Sequence, residues 1–202
     1  MQTAPTSPTR RDLAAACLVL ALAACSAAPQ GGSAEPPAAA LDLAGRAVDP
    51  LDAPSAPAVV LLFTRTDCPI SNRYAPEVRR LYERFHDRGV TFWLVYPDPA
   101  ATVESIEAHR GEYSYPLPAL RDPGHVLVRR AGATITPEAA VFRPGGDLVY
   151  LGRIDDRYVD FGQARPQATQ HDLEQAIEAV LAGRPVPVAR AKAVGCFIAD
   201  LR

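Results

Sequence analysis

The sequence is poor in most of what marks a specialised chain. Aromatic residues fill 7% of its 202 positions, with one tryptophan and one methionine. Lys192 is the single lysine among 21 basic residues, and 23 acidic residues bring the formal net charge to −2. That balance excludes the basic stripe of a nucleic-acid binder, and the scattered arginines read as solvated surface. Four cysteines are too few for a small disulfide scaffold. No pair of histidines has metal-ligand spacing, and Gly145-Gly146 is a turn with no helix behind it to form a phosphate loop. The apolar run Leu13–Ala24 is 12 residues, too short for a membrane-spanning helix.

What is present begins with an address. Arg10 and Arg11 ahead of that short apolar run, with small residues after it, make a secretory signal. Thr9-Arg10-Arg11-Asp12-Leu13 also resembles a twin-arginine export signal. Leu22-Ala23-Ala24-Cys25 resembles a bacterial lipobox, which implies cleavage before Cys25 and lipid attachment to its sulfur; plain secretion is the alternative. Ser26 in place of aspartate suits outer-membrane sorting, and several acyl chains anchor stably where one does not. Positions 26–39 are mostly Ser, Ala, Pro, Gly and Gln and read as a disordered tether. The expected organisation is a signal peptide at 1–24, a lipid-anchored tether at 25–39 and one domain at 40–202 ending in a tail that carries Cys196.

Within the domain, strands and helices alternate. Positions 40–51 read as a small hairpin around Gly45, and Ala58–Thr64 as a strand buried on both faces. The stripe Ile70, Tyr74, Val78, Leu81, Tyr82 and Phe85 predicts a helix from Pro69 to about His86. Val90–Val95 is the next buried strand. Asp98-Pro99 is expected to open a helix running to Tyr113, Leu117–Leu120 a short strand, and Asp122-Pro123 a short helix ending near Gly132. Ala139–Phe142 and Asp147–Arg153 flank the hairpin signal Pro144-Gly145-Gly146. A last helix is expected from Thr169, with Asp172 in a capping-box arrangement, stopped by Gly183 and Pro185.

The chemistry centres on Cys68. It joins a buried strand to a helix with Pro69 at the first helical position, where backbone amides and the helix dipole favour a thiolate. Ser71 is placed to donate a hydrogen bond to the sulfur. Arg65 adds positive charge, and Asp67 works against ionisation. An inert buried cysteine is the bland alternative. The polar run Gly152–Tyr158 reads as a solvated loop with internal ion pairs, or as a support for the tail.

From about Leu41 to Leu181 the chain resembles the thioredoxin-like superfamily, and specifically the exported redoxins, which include membrane-tethered thioredoxin-like reductases and thiol-specific antioxidants. Four features carry the likeness: strand–Cys68-x-x-Ser71–helix; Pro76, where the family kinks its first helix; Thr136-Pro137 before a hairpin, matching the cis-proline loop; and an inserted helix and strand at 99–120. The resemblance implies an α/β thioredoxin fold with a redoxin-type insertion, a central mixed sheet flanked by helices. It also implies a cis bond before Pro137 and a site shaped by Thr66, Pro69, Ser71, Thr136 and Pro137.

The departures redirect the mechanism. Ser71 stands where a thioredoxin has its second cysteine. Leu61 and Arg65 stand where peroxiredoxins carry a proline and a threonine, which weakens the peroxidase reading. Once the signal is gone and Cys25 is lipidated, Cys68 and Cys196 are the thiols left, in an oxidising compartment. The expectation is that the tail returns across the site, with Cys68 as nucleophile and Cys196 as resolving partner. A structural disulfide and two unrelated thiols remain open. The expected function is an envelope thiol–disulfide oxidoreductase acting on protein thiols and disulfides with an unidentified electron donor, without cofactor, metal or nucleic acid. The alternatives are a redoxin-type thiol peroxidase and a non-catalytic binding module or metallochaperone, with Cys68, Cys196 and His125 as the conceivable ligands.

Overall fold

The computed structural model describes residues 39–199. The signal peptide, Cys25 and positions 26–38 of the tether lie outside the described residues. Among the described residues no helix is long and apolar enough to cross a membrane.

The hairpin of β1 (Ala40–Asp42) and β2 (Ala47–Val48) leads to β3 (Val59–Phe63), in which every residue is buried. Helices α1 (Pro69–Arg73) and α2 (Ala75–Phe85) follow, then β4 (Thr91–Tyr96), α3 (Val103–Glu112), β5 (Ala119–Arg121) and α4 (Val126–Ala131). The two-residue β6 (Ile135–Thr136) precedes the hairpin β7 (Glu138–Arg143) and β8 (Asp147–Gly152). A small hairpin, β9 (Tyr158–Asp160) and β10 (Gln163–Ala164), precedes α5 (Asp172–Leu181). The tail adds β11 (Arg190–Ala191) and β12 (Cys196–Phe197).

Eight strands form one mixed sheet in the order β11-β8-β7-β3-β4-β5-β1-β2. The parallel pairs β3–β4 and β4–β5 are joined through helical crossovers, while β7 runs antiparallel to β3 and to β8. Alternation along β3 splits the core. Val60 and Leu62 pack with Val78, Leu81 and Phe85 of α2 and with Leu173 and Ile177 of α5. Val59, Leu61 and Phe63 pack with Leu127, Val128 and Ala131 of α4 on the opposite face. The architecture is the expected α/β fold with a mixed sheet flanked by helices.

Three helix boundaries differ from the expectation, each because of a polar side chain or a proline. The helix from Pro69 is broken at Tyr74, since Pro76 has no N–H to donate and its ring crowds the preceding turn. Asp98 does not open α3: its carboxylate accepts the Ala100 amide in a tight turn, and Thr102 is the cap, accepting from the Ser105 amide. Thr169 does not cap α5, because its hydroxyl is spent on Asp156. Asp122, by contrast, does serve the start of α4, its carboxylate accepting the Val126, Leu127 and Val128 amides.

Many arginines have specific partners. Arg80 bridges Glu77 of its own helix and Glu174 of α5, Arg84 reaches Glu174 at 2.9 Å, and Arg88 reaches Glu178 at 2.9 Å. These contacts lace α2 to α5.

Candidate active site

Cys68 caps the start of α1 in an extended conformation, with Pro69 opening the helix behind it. The cysteine is fully buried, at 0% exposure. Across from it, the Thr136–Pro137 peptide bond is cis, and the Cys68 thiol donates to the Thr136 carbonyl at 3.1 Å. Thr136 and Pro137 are both buried and Pro69 is exposed. Ser71 is buried at 2% exposure, and its hydroxyl has no well-oriented acceptor in the neutral state of the site. A Cys68 thiolate is the acceptor through which this hydroxyl lowers the thiol's proton affinity.

The tail closes the site. β12 pairs antiparallel with β6, Cys196 opposite Thr136 and Phe197 opposite Ile135. This places the Cys196 thiol against the Cys68 sulfur, Sγ to Sγ 2.8 Å, although the residues are 128 positions apart. Both cysteines are free thiols. The seat is built to fit. A Cβ on Gly195 would lie 2.0 Å from the Thr136 carbonyl oxygen and 3.1 Å from the Pro137 nitrogen, so only glycine admits this approach. Upstream, β11 adds in parallel to the edge strand β8, and a Cβ on Gly152 would lie 2.3 Å from the Ala191 oxygen. Downstream, the Ile198 amide donates to the Thr134 carbonyl at 3.0 Å and its side chain is buried in the α4-side core. Cys196 is thus pinned from both directions.

Arg65 acts as a clasp. Its guanidinium pairs with Asp67 at 3.0 Å and with Asp98 at 3.5 Å, and Nη1 donates to the Phe197 carbonyl at 3.4 Å. The positive charge expected to favour a thiolate is therefore shared with two carboxylates and the tail. Thr66 contributes through its backbone: its carbonyl accepts the Asn72 side-chain amide at 3.1 Å.

The two thiols titrate in opposite directions. Burial pushes the Cys68 thiol up, but the hydrogen bonds from Cys196 and from the hydroxyl and amide of Ser71 outweigh it together, and the net is below a thiol's ordinary value. Cys196 is pushed up to about 12, first by burial, then by donating to Cys68 and by the charge Cys68 carries when ionised. One proton held between two sulfurs thus resides on Cys196, leaving Cys68 the better leaving group and the thiol that ionises first.

Other residues singled out from the sequence lie elsewhere or act differently. His125 is buried, with Nε2 on the Pro97 carbonyl at 2.9 Å. The run Gly152–Tyr158 is not a solvated loop: Asp155 and Asp156 are both buried. Asp155 accepts the Tyr74 hydroxyl at 2.6 Å, tying the loop to the junction of α1 and α2. Asp156 accepts the Thr169 amide and hydroxyl, each at 2.6 Å, and the Gln170 amide at 2.9 Å. Among the described residues one trio, Glu77, His171 and Glu174, gathers three potential metal ligands, and Arg80 and Arg84 already pair with its two carboxylates.

A buried cysteine at a helix start, facing a cis-proline loop on a central mixed sheet with an inserted α3–β5 unit, defines a thioredoxin-like protein of the redoxin type. The AhpC/TSA family model matches residues 32–151, and the chain belongs to that family. The match stops before Asp155, Asp156 and the tail with Cys196. Two solved structures are similar over most of the chain. An uncharacterized conserved protein from Geobacillus kaustophilus shares 28% identity over 81% of this chain and 88% of its own, with a TM-score of 0.67. A hypothetical protein from Sinorhizobium meliloti 1021 shares 25% over 78% and 87%, with a TM-score of 0.66. The thioredoxin domain of a thiol-disulfide oxidoreductase from Bacteroides vulgatus shares the fold at 19% identity over 70% and 90%, with a TM-score of 0.52. No curated protein matches the chain.

Proposed function

We propose that this redoxin is a thiol–disulfide oxidoreductase of the cell envelope, held to the membrane by lipid on Cys25, and that Cys68 and Cys196 are its redox pair. The 2.8 Å approach of the two sulfurs carries the reading. The tail supplies from a distant strand the thiol that Ser71 does not provide beside Cys68.

Burial and proton affinity assign the order of events. In the disulfide form a partner thiolate reaches the half-buried Cys196 and not the enclosed Cys68. It attacks the Cys196 sulfur, and the bond to Cys68 breaks with its electron pair on Cys68, the more acidic thiol. A second partner thiol resolves the mixed disulfide. The sum is two partner thiols oxidised to a disulfide and the protein pair reduced to dithiol. Toward a disulfide-bearing substrate a separate route is open, in which β12 lifts from β6, the Cys68 thiolate attacks the substrate disulfide and expels one substrate thiol, and Cys196 then attacks Cys68 to form the protein disulfide and release the other.

The test is non-reducing peptide mass spectrometry on protein equilibrated in a glutathione redox series, with Cys68→Ser and Cys196→Ser alongside. The expected result is a Cys68–Cys196 disulfide in the parent with a potential above about −300 mV, the region below which structural disulfides lie. Cys196→Ser is expected to accumulate a glutathione adduct on Cys68. Both thiols free after oxidation would remove the mechanism. Fast Cys68-dependent peroxide consumption would replace it with the peroxidase reading.

A further inference from the structure

The inserted helix α3 carries a buried polar residue that the reaction as described does not use. His109 is 4% exposed and sits among the rings of Tyr96, Tyr113 and Tyr115 at centroid distances of 5.7, 4.9 and 5.7 Å. Both ring nitrogens have partners. Nδ1 lies 2.9 Å from the Tyr96 hydroxyl and Nε2 lies 2.9 Å from Asn72 Oδ1. Asn72 passes the contact on: its Nδ2 donates to the Thr66 carbonyl at 3.1 Å, and its backbone amide donates to the Cys68 carbonyl at 3.0 Å.

Only one assignment of protons satisfies every group. The Thr66 carbonyl must accept, so Asn72 Nδ2 donates to it and Oδ1 is left as an acceptor. His109 Nε2 then carries the proton, and Nδ1 accepts from the Tyr96 hydroxyl. The result is a one-way chain of donors, Tyr96 to His109 to Asn72 to Thr66, that ends two residues before the sulfur. It keeps the imidazole neutral. A second ring proton would face the Tyr96 oxygen and turn that hydroxyl away from its acceptor in a buried site, a costly exchange. Burial lowers the affinity of His109 for that proton, against a weaker pull from Glu112.

We propose that His109 is a positioning residue for Cys68: acting through Asn72, it fixes the Thr66–Cys68 turn and with it the direction of the sulfur toward Ser71, Thr136 and Cys196. This deepens the reading above, since it takes Cys68 as the reactive thiol. It also gives the insertion a task. α3 lies outside the strand–cysteine–helix segment, yet its one buried histidine braces that segment through Asn72.

The test measures Cys68 itself. In a Cys196→Ser background of the full chain, alkylation by iodoacetamide is quantified on the Cys68 peptide by mass spectrometry from pH 5 to pH 10. His109→Phe keeps the ring volume and removes the donor to Asn72. It is expected to shift the midpoint of the profile upward by about one pH unit, roughly tenfold less thiolate at pH values below the midpoint. Asn72→Ala is expected to do the same, and the double variant no more than either, because the residues act in one chain. His109→Gln, whose terminal amide stands near Nε2, is expected to restore most of the parent profile. The other charged groups around the ring, Arg79, Arg110 and Glu112, remain in every variant, so the shift reports the chain. A His109→Phe protein that melts cooperatively and keeps the parent profile overturns the proposal, as does an additive double variant. Should His109→Phe fail to fold, Asn72→Ala alone decides. Alkylation does not require disulfide exchange: a parent that never pairs its cysteines but shows the His109-dependent shift would sink the proposed function and leave the positioning role standing.

Discussion

Cys68 is placed first by its immediate neighbours in the chain, with Thr136 across from it, and Cys196 wholly by contacts far from it in sequence. The segment from Phe63 to Arg73 contains the strand end, the cap, the helix-opening proline and the serine beside the Cys68 sulfur. The tail has no such local logic. Its seat consists of β8 at one end, Thr134 and Thr136 at the other and two glycines that let backbones touch. The two regions also differ in what they do to a proton. Against the rise from burial, hydrogen bonds from Cys196 and Ser71 draw the Cys68 thiol down, while burial and the bond to Cys68 push Cys196 up to about 12. The proposed redox pair, assembled from unlike parts, is therefore asymmetric from the outset, with the acidic member enclosed and the basic member half-buried.

The largest expected effect comes from unseating the tail. Gly195→Val puts a branched side chain into the Thr136 carbonyl, which is backbone and cannot rotate aside. β12 then leaves β6, and Cys196 becomes a thiol on a flexible tether whose effective concentration at Cys68 is only millimolar. Formation of the intramolecular disulfide in oxidised glutathione, followed by quenched mass spectrometry, is expected to slow roughly a hundredfold. An unchanged rate would show that the strand does not position the sulfur.

A smaller effect probes the local half. Ser71→Ala removes one donor to the Cys68 thiolate and leaves the cap and tail intact. The Cys68 midpoint is expected to rise by about one pH unit, the worth of a hydrogen bond to a charged group. The thiolate absorbance near neutral pH falls accordingly. No change would assign the low value wholly to Cys196 and the backbone amide.

The smallest effect on the chemistry is expected at the loop that leads toward α5 and the tail. The Asp156 carboxyl is pushed up by burial, but the Thr169 hydroxyl and the Gln170 and Thr169 amides hold it well below the usual carboxylate range. A depressed carboxyl contributes stability at pH values above its unfolded value and loses it as the pH falls through the folded value. Asp156→Ala is expected to lose about 1–3 kcal/mol in urea unfolding at pH 7. The gap between variant and parent is expected to narrow as the solution is made acidic, with little change in the Cys68 profile. A constant gap from pH 7 to pH 2 would mean that the carboxylate charge is not what the loop uses.

The same contrast separates what was legible in the sequence from what was not. The α/β order and the buried strand before Cys68 follow patterns contained in short windows, the cis bond at Pro137 follows from the family resemblance, and the structure has each of them. The helix starts at 98 and 169 were misplaced because the decisive oxygens belong to other partners. Asp98 folds back on its own turn, and Thr169 answers to Asp156, 13 residues earlier. Arg65 was read as a charge near the thiol, although two carboxylates and the tail take up its guanidinium. The burial of His109 has no signal in the sequence because α3 has almost no apolar stripe; the ring of tyrosines that buries it comes from β4 and from the loop after the helix. Only the tertiary fold supplies that information.

The distance in sequence between the two sulfurs has an energetic counterpart. A bond between positions 128 apart would tie most of the domain into one covalent ring. Closing a ring of that size removes about 5 kcal/mol of freedom from the unfolded chain in the entropy model of cross-links. By linkage the same quantity belongs to the redox equilibrium: the native fold favours the oxidised pair by as much as oxidation favours the native fold. Under the proposed function, a partner that reduces this pair therefore also loosens the fold, and the redox state of the site becomes a setting for the endurance of the whole domain.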